Sequence, residues 1–204
     1  MRAVINLSTE KYRKGQQRLF NSLKGSYDCI LYTSELQVNA PLHSENNYGF
    51  KPATFVDAMR IGYKHLLWLD ASMLVIKDLQ PIFDIIEQDG YFFQDSGWMN
   101  DRWTNDKAKE YFGTNEGRML SSGVLGLNLE TEIGRKFLSD WLQAMQDGVF
   151  NGSWDNFRHD QTCASLIAYK MGLKLQDGNT FMVYGKMDEP TISEKTLLLA
   201  DGIC

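Results

Sequence analysis

Residues 66–69 read Leu-Leu-Trp-Leu and end on Asp70, an unbroken apolar run closed by a carboxylate. A strand with one wet face alternates apolar and polar residues. A run without that alternation fits a strand covered on both faces, as in a sheet with helices packed above and below it. A second such run spans residues 73–76. Around these two, strand-like segments at 3–7, 29–32, 91–93, 120–129, 181–184 and 196–199 are separated by helical ones. Pro52 and Pro81 each open a helix where the missing N–H costs nothing. Ile133, Phe137, Trp141 and Met145 recur every four residues, the spacing of an amphipathic helix. Residues 160–171 form another helix, with Gly172 just past its end. Strands alternating with helices predict an α/β architecture with a mixed, largely parallel central sheet flanked by helices.

A chain of 204 residues predicts one domain, 1–204, either whole or cut from a longer protein. The net charge of −5, with no long basic run, excludes nucleic acid as the main partner. Cys29, Cys163 and Cys204 are odd in number and widely spaced, which fits a reducing compartment better than a disulfide framework or a zinc site. The N-terminal apolar run is too short for a signal peptide, and no run approaches the ~18 residues of a membrane span. The expectation is a cytoplasmic protein.

Asp70 is the position where chemistry is expected. In open α/β sheets ligands bind outside the carboxyl ends of the strands. A carboxylate beside Leu-Leu-Trp-Leu is costly to desolvate, so it faces solvent, a donor or a cation. A solvated strand end or a cap for the next turn satisfies that requirement, and so does a ligand site.

The segment Trp68-Leu69-Asp70-Ala71-Ser72-Met73-Leu74-Val75 resembles the Asp-x-Asp segment of GT-A class glycosyltransferases. The resemblance implies a Rossmann-like GT-A domain that transfers a sugar from a nucleotide-sugar donor, most readily a UDP-sugar, to a glycan or glycoprotein. It also implies a Mn²⁺ or Mg²⁺ held at Asp70 and Ser72 against the donor diphosphate. Ser72 stands where the family has its second aspartate, and a hydroxyl is a neutral, weaker ligand. Many members supply a late histidine to the metal. Here no histidine follows His159, which leaves Asp188 or Asp201 for that place.

Three further segments match in order. Phe50-Lys51-Pro52 places a basic residue where the family contacts the diphosphate. Ser121-Ser122-Gly123-Val124-Leu125-Gly126-Leu127-Asn128 resembles the strand that runs under the donor sugar, with Gly123 allowing close approach of a ligand. Arg158-His159-Asp160-Gln161 resembles the Asp-Gln motif beside the reacting carbon. The resemblance makes Asp160 a general base if the transfer inverts, and makes Asp160 or Gln161 a positioning group if it retains. Read without the family, Lys51 is a solvated helix-start lysine, Gly123 a strand bulge, and Asp160 a helix N-cap.

Ser8, Tyr12 and Arg13 follow the first strand and are the remaining donor-binding candidates. Lys11, Arg13 and Lys14 open a helix where the macrodipole disfavours cations, which points to an anion nearby or to a frayed, solvated turn. Two aperiodic stretches, 95–106 with Trp98, Arg102 and Trp103 and 150–160 with Trp154, join rings to polar groups and are candidate acceptor walls. Rings that anchor loops to the core are the alternative. Two other functions compete: a degenerate domain that binds nucleotide-sugar or glycan without turnover, which Ser72 favours, and a sugar-phosphate nucleotidyltransferase. The second is disfavoured because residues 6–10 lack a glycine-rich basic loop.

Overall fold

The computed structural model describes residues 1–185 and 192–201. Asp188 and Cys204 fall outside them. The elements in chain order are β1 (Arg2–Leu7), α1 (Arg13–Ser22), β2 (Asp28–Tyr32), α2 (Phe50–Arg60), β3 (His65–Leu69), β4 (Met73–Val75), α3 (Gln80–Asp89), β5 (Tyr91–Met99), α4 (Asp106–Phe112), β6 (Arg118–Asn128), α5 (Glu132–Gln146), α6 (His159–Lys170), β7 (Met182–Tyr184) and β8 (Leu198–Ala200). The main sheet has the order β2-β1-β3-β6-β5. β1 pairs parallel with both β2 and β3, while β6 runs antiparallel to both its neighbours, so four of the five strands point the same way. A smaller sheet, β4-β8-β7, stands beside it. The α/β expectation of a mixed, largely parallel sheet holds.

The unalternating runs bury both faces. Val4, Leu67, Leu69, Phe92 and Val124 face a core closed by Leu19 of α1, by Ile82, Phe83 and Ile86 of α3, and by the small sheet. Their neighbours Ile5, Leu66, Trp68, Phe93 and Leu125 face the opposite core, closed by Phe55, Phe137, Trp141 and Leu166. In α5 the four-residue repeat holds for Phe137, Trp141 and Met145, but Ile133 is exposed. Four residues turn a 3.6-residue helix about 40° past a full turn, so a strict four-residue repeat drifts off the buried stripe. The stretch read as an acceptor loop is more ordered than expected. β5 continues to Met99, a 3-10 turn covers Asn100–Trp103, and Asn105 caps α4 by accepting from the Ala108 N–H. Among the described residues no helix is long and apolar enough to cross a membrane.

This topology sets where a ligand fits. β1 leads through α1 to β2 on one side, and β2 returns through α2 to β3 on the other. α1 and α2 therefore cover opposite faces, and a crevice opens where the chain parts at the carboxyl ends of β1 and β3. Asn6 and Gln16 brace that point. Asn6 Nδ2 donates to the Leu69 carbonyl (2.7 Å), and Gln16 Nε2 donates to Asn6 Oδ1 and the Tyr32 carbonyl (2.8 Å each). Three strand ends are thus tied together by two buried amides.

Candidate functional site

Asp70 leaves β3 at the crevice with its N–H donating to the Gly123 carbonyl (2.9 Å). Its Oδ1 accepts from Trp68 Nε1 (2.7 Å) and lies 3.2 Å from Lys51 Nζ. Lys51, in the first turn of α2, is 3% exposed and also reaches Asp160 Oδ2 at 3.0 Å. Its Nζ donates to the carbonyl (3.1 Å) and hydroxyl (3.3 Å) of Ser122. Three segments distant in sequence thus converge on one buried ammonium. Burial alone pulls the Lys51 ammonium down, but Asp160 and Asp70 more than reverse this and hold it above the ordinary lysine range. Burial pushes the Asp160 carboxyl up, against the pull of Lys51.

Two readings from sequence change here. Lys51 is not a solvated helix-start lysine. Asp160 does not cap α6: the helix begins one residue earlier, at His159, and the carboxylate is committed to Lys51. His159 has φ +47°, and Tyr48, just before α2, has φ +60°. Both are left-handed conformations that cost a bulky residue strain. Their rings pack 5.9 Å apart, and Trp154 lies 4.7 Å from His159. Burial lowers the His159 imidazole below its ordinary value, and its Nδ1 lies 2.9 Å from the Phe150 carbonyl. Tyr48 stands just before the helix that carries Lys51, and His159 opens the one that carries Asp160.

Three hollows run in series through this point. The first is lined by Leu7, Tyr12, Tyr48, Phe50, Trp68 and Ala71, with Lys51, Asp70 and Ser72. The second shares Tyr48, Lys51, Asp70 and Ser72 with it and adds Ser122, Gly123, Asp160 and Gln161. The third shares Trp154, Arg158, Gln161 and Tyr184 with the second and adds Ser96 and Trp98. The expected residues Tyr12, Lys51, Asp70, Ala71, Ser72, Ser122, Gly123, Asp160, Gln161, Trp98 and Trp154 therefore line one trench.

Four others do not line it. Ser8, directly after β1, is buried, and its N–H donates to the Tyr32 carbonyl (3.1 Å). Arg13 Nη2 donates to the Thr33 carbonyl (2.6 Å) at the surface. Trp103 lies beneath Trp98, rings 5.2 Å apart, and Arg102 lies over Trp103. Tyr48, Arg158 and Tyr184 are trench residues to which sequence gave no role. The aromatic-rich composition near residues 48 and 184 is the sole signal for two of them.

The protein offers few ligands to a divalent ion here. The described residues contain no group of three His, Cys, Asp or Glu side chains able to enclose a metal. Asp201 carries its carboxylate to Arg18 (3.3 Å), and its N–H donates to the Ser72 carbonyl. Asp70 Oδ2 has no hydrogen-bond or ion-pair partner among the described residues. A Cβ on Gly123 would lie 2.6 Å from Met73 Cε and 3.3 Å from that oxygen, so the glycine lets β6 pack closely against the Met73 methyl and the Asp70 carboxylate. One carboxylate oxygen and the Ser72 hydroxyl fit a hard cation whose shell is completed by phosphate oxygens, not one held by protein alone.

The 70–72 loop is also pressed from below. A Cβ on Gly15 of α1 would sit 2.5 Å from the Ala71 carbonyl oxygen, a backbone atom that cannot swing away. Gly15→Ala is expected to cost about 1–3 kcal/mol as the loop or the helix shifts. Thermal melts check this.

No protein-family model and no curated protein matches the sequence. Solved structures do. WbbM, a bifunctional glycosyltransferase in its apo form, superposes with TM-score 0.63 at 14% identity, over 98% of this chain and 45% of WbbM. A glycosyltransferase involved in glycosylation of the major capsid of PBCV-1 gives 0.56 at 16% identity, over 98% and 93% of the two chains. Mouse xyloside xylosyltransferase 1, apo form, gives 0.55 at 12% identity, over 98% and 97%. This chain thus spans less than half of WbbM and nearly all of the other two. At these identities the likeness fixes the fold, and it is that of GT-A-like glycosyltransferases.

Proposed function

We propose that this chain transfers a sugar from a nucleotide-sugar donor, a UDP-sugar first among them, to a glycan or glycoprotein acceptor. The observation that carries the reading is the trench itself. The Lys51–Asp70–Asp160 cluster lies where a hollow at the β1/β3 crevice meets one that opens toward exposed tryptophans. The first hollow takes the nucleotide, with Tyr12 against the base and the diphosphate by Asp70 and Ser72. The second takes the donor sugar over Gly123, and the third takes the acceptor. Lys51 keeps Asp160 charged and fixed at the junction of donor sugar and acceptor, where Gln161 faces both hollows. An inverted product makes Asp160 the base that accepts the acceptor proton; a retained one makes it a positioning group.

A Mn²⁺ or Mg²⁺ bound with the diphosphate would offset charge on the departing nucleotide, held by Asp70 and by Ser72 through its hydroxyl. Because protein ligands are few, Mn²⁺ is expected to bind at least about tenfold more tightly with UDP present than alone. Calorimetry with and without UDP checks this. Equal affinity rejects the role given to Asp70 and Ser72.

Incubation with a panel of nucleotide-sugars and Mn²⁺ tests the function, read as release of nucleoside diphosphate. Ser72, weak as a metal ligand, favours the second reading, a binding module. Nucleotide-sugar binding without any hydrolysis or transfer across the panel selects the module over the enzyme.

A further inference from the structure

The third hollow, of 320 Å³, is in the range of small-ligand sites. Its rings stand open to solvent: Trp98 is 44%, Trp154 53% and Tyr184 59% exposed. Exposed rings with polar neighbours suit the apolar C–H faces and hydroxyl edges of sugars. Among the described residues the single charge in the lining belongs to Arg158, and none of them brings a carboxylate to it.

Arg158 is held for display. Its guanidinium carbon lies 3.4 Å from the Trp103 ring centroid, 5.0 Å from that of Trp154 and 5.7 Å from that of Trp98. Nη1 donates to the carbonyls of Trp154 and Phe157. Nε and Nη2 make no hydrogen bond, and the side chain has no ion-pair partner among the described residues. The surroundings favour an incoming anion. Burial and the nearby Arg102 push the Arg158 guanidinium below its ordinary value, more than Asp155 restores it. Of the other acids nearby, Asp101 Oδ1 is engaged by the Arg102 N–H, Asp95 by Arg118 (2.6 Å), and Asp160 by Lys51. A planar guanidinium whose Nε/Nη2 edge has no partner among the described residues matches a carboxylate or phosphate group bidentately.

We infer that the acceptor is an acidic saccharide, whose pyranose ring lies against Trp98 and Trp154 and whose anionic group is bound by Arg158. Only the word acceptor rests on the function proposed above; the binding chemistry stands without it.

The test is a titration of the full chain at low salt with methyl β-D-glucuronide, glucose 6-phosphate and methyl β-D-glucoside, read by tryptophan fluorescence and saturation-transfer NMR. At least one charged sugar is expected to bind about tenfold or more tightly than the glucoside, as a charge-assisted hydrogen-bonded pair allows. Which charged sugar wins separates a uronic acid from a sugar phosphate. Arg158→Gln should abolish the preference while glucoside and UDP affinities stay, and Trp154→Ala should weaken all three sugars. Should Arg158→Gln not fold, the wild-type preference and its loss at high salt decide instead. Equal binding of the three sugars, no binding of any, a preference that survives Arg158→Gln in folded protein, or a fall in UDP affinity with that variant overturns the inference. Wild-type UDP binding is scored separately, because its absence would count against the nucleotide-sugar reading instead.

Discussion

Asp70→Ala is expected to lower sugar transfer by about 10²–10³-fold, the usual cost of removing one preorganised electrostatic stabiliser. The size follows from what the carboxylate does at once. Its Oδ1 takes a hydrogen bond from Trp68 and a charge contact from Lys51, which fixes its direction. Its Oδ2 has no such partner among the described residues and lies beside the Gly123 backbone. The fold should survive, because the side chain is 35% exposed and Lys51 retains Asp160 as a partner. Circular dichroism and a melt establish folding; nucleotide-sugar turnover measures the loss. A folded variant with near-normal transfer would remove Asp70 from the mechanism, and the metal proposal with it.

The sequence made Asp70 conspicuous because its signal is local. A four-residue apolar run closed by a carboxylate marks a buried strand and its carboxyl end without any knowledge of what lies beside it. Helix α5 is legible for the same reason. Gly123 was readable as a place of close approach, though not that the groups approached are the Met73 methyl and the Asp70 carboxylate. What escaped depends on contacts between distant segments. Lys51, Ser122 and Asp160 meet only after α2, β6 and α6 are docked, so the sequence showed a basic residue near a helix start and not an ion-paired ammonium. Asp160 looked like a cap because caps are judged from neighbours in sequence. The left-handed His159 moves the helix start back by one residue, and no propensity announces that. Tyr184 was in a strand-like run, but its place on the trench exists only because β7 joins a second sheet with β4 and β8.

Removing the cation at the centre should harm stability more than any other single change in the site. Lys51→Met leaves Asp160 buried without its counter-charge, and breaking a buried pair from one side costs about 3–5 kcal/mol. The loss should depend on pH, with a definite sign. Burial already holds the Asp160 carboxyl above its unfolded value, and Lys51 is the main influence lowering it. Without Lys51 the folded protein keeps that proton to still higher pH than the unfolded chain does. Stability is then fully present below the unfolded carboxylate pKa and is lost as pH rises through the folded one. Denaturant titrations should therefore show a large deficit at pH 8 that narrows toward pH 5. Adding Asp160→Asn removes the orphaned charge, so Lys51→Met/Asp160→Asn should recover much of the lost stability at pH 8 while transfer stays abolished. A single variant as stable at pH 8 as the parent would mean that the ammonium does not hold Asp160 in the folded protein. A double variant no more stable than the single would place the cost in packing around the lysine stem. Recovered stability without activity separates the two duties of Lys51, neutralising a buried acid and favouring its charged form at the junction of the hollows proposed for donor and acceptor.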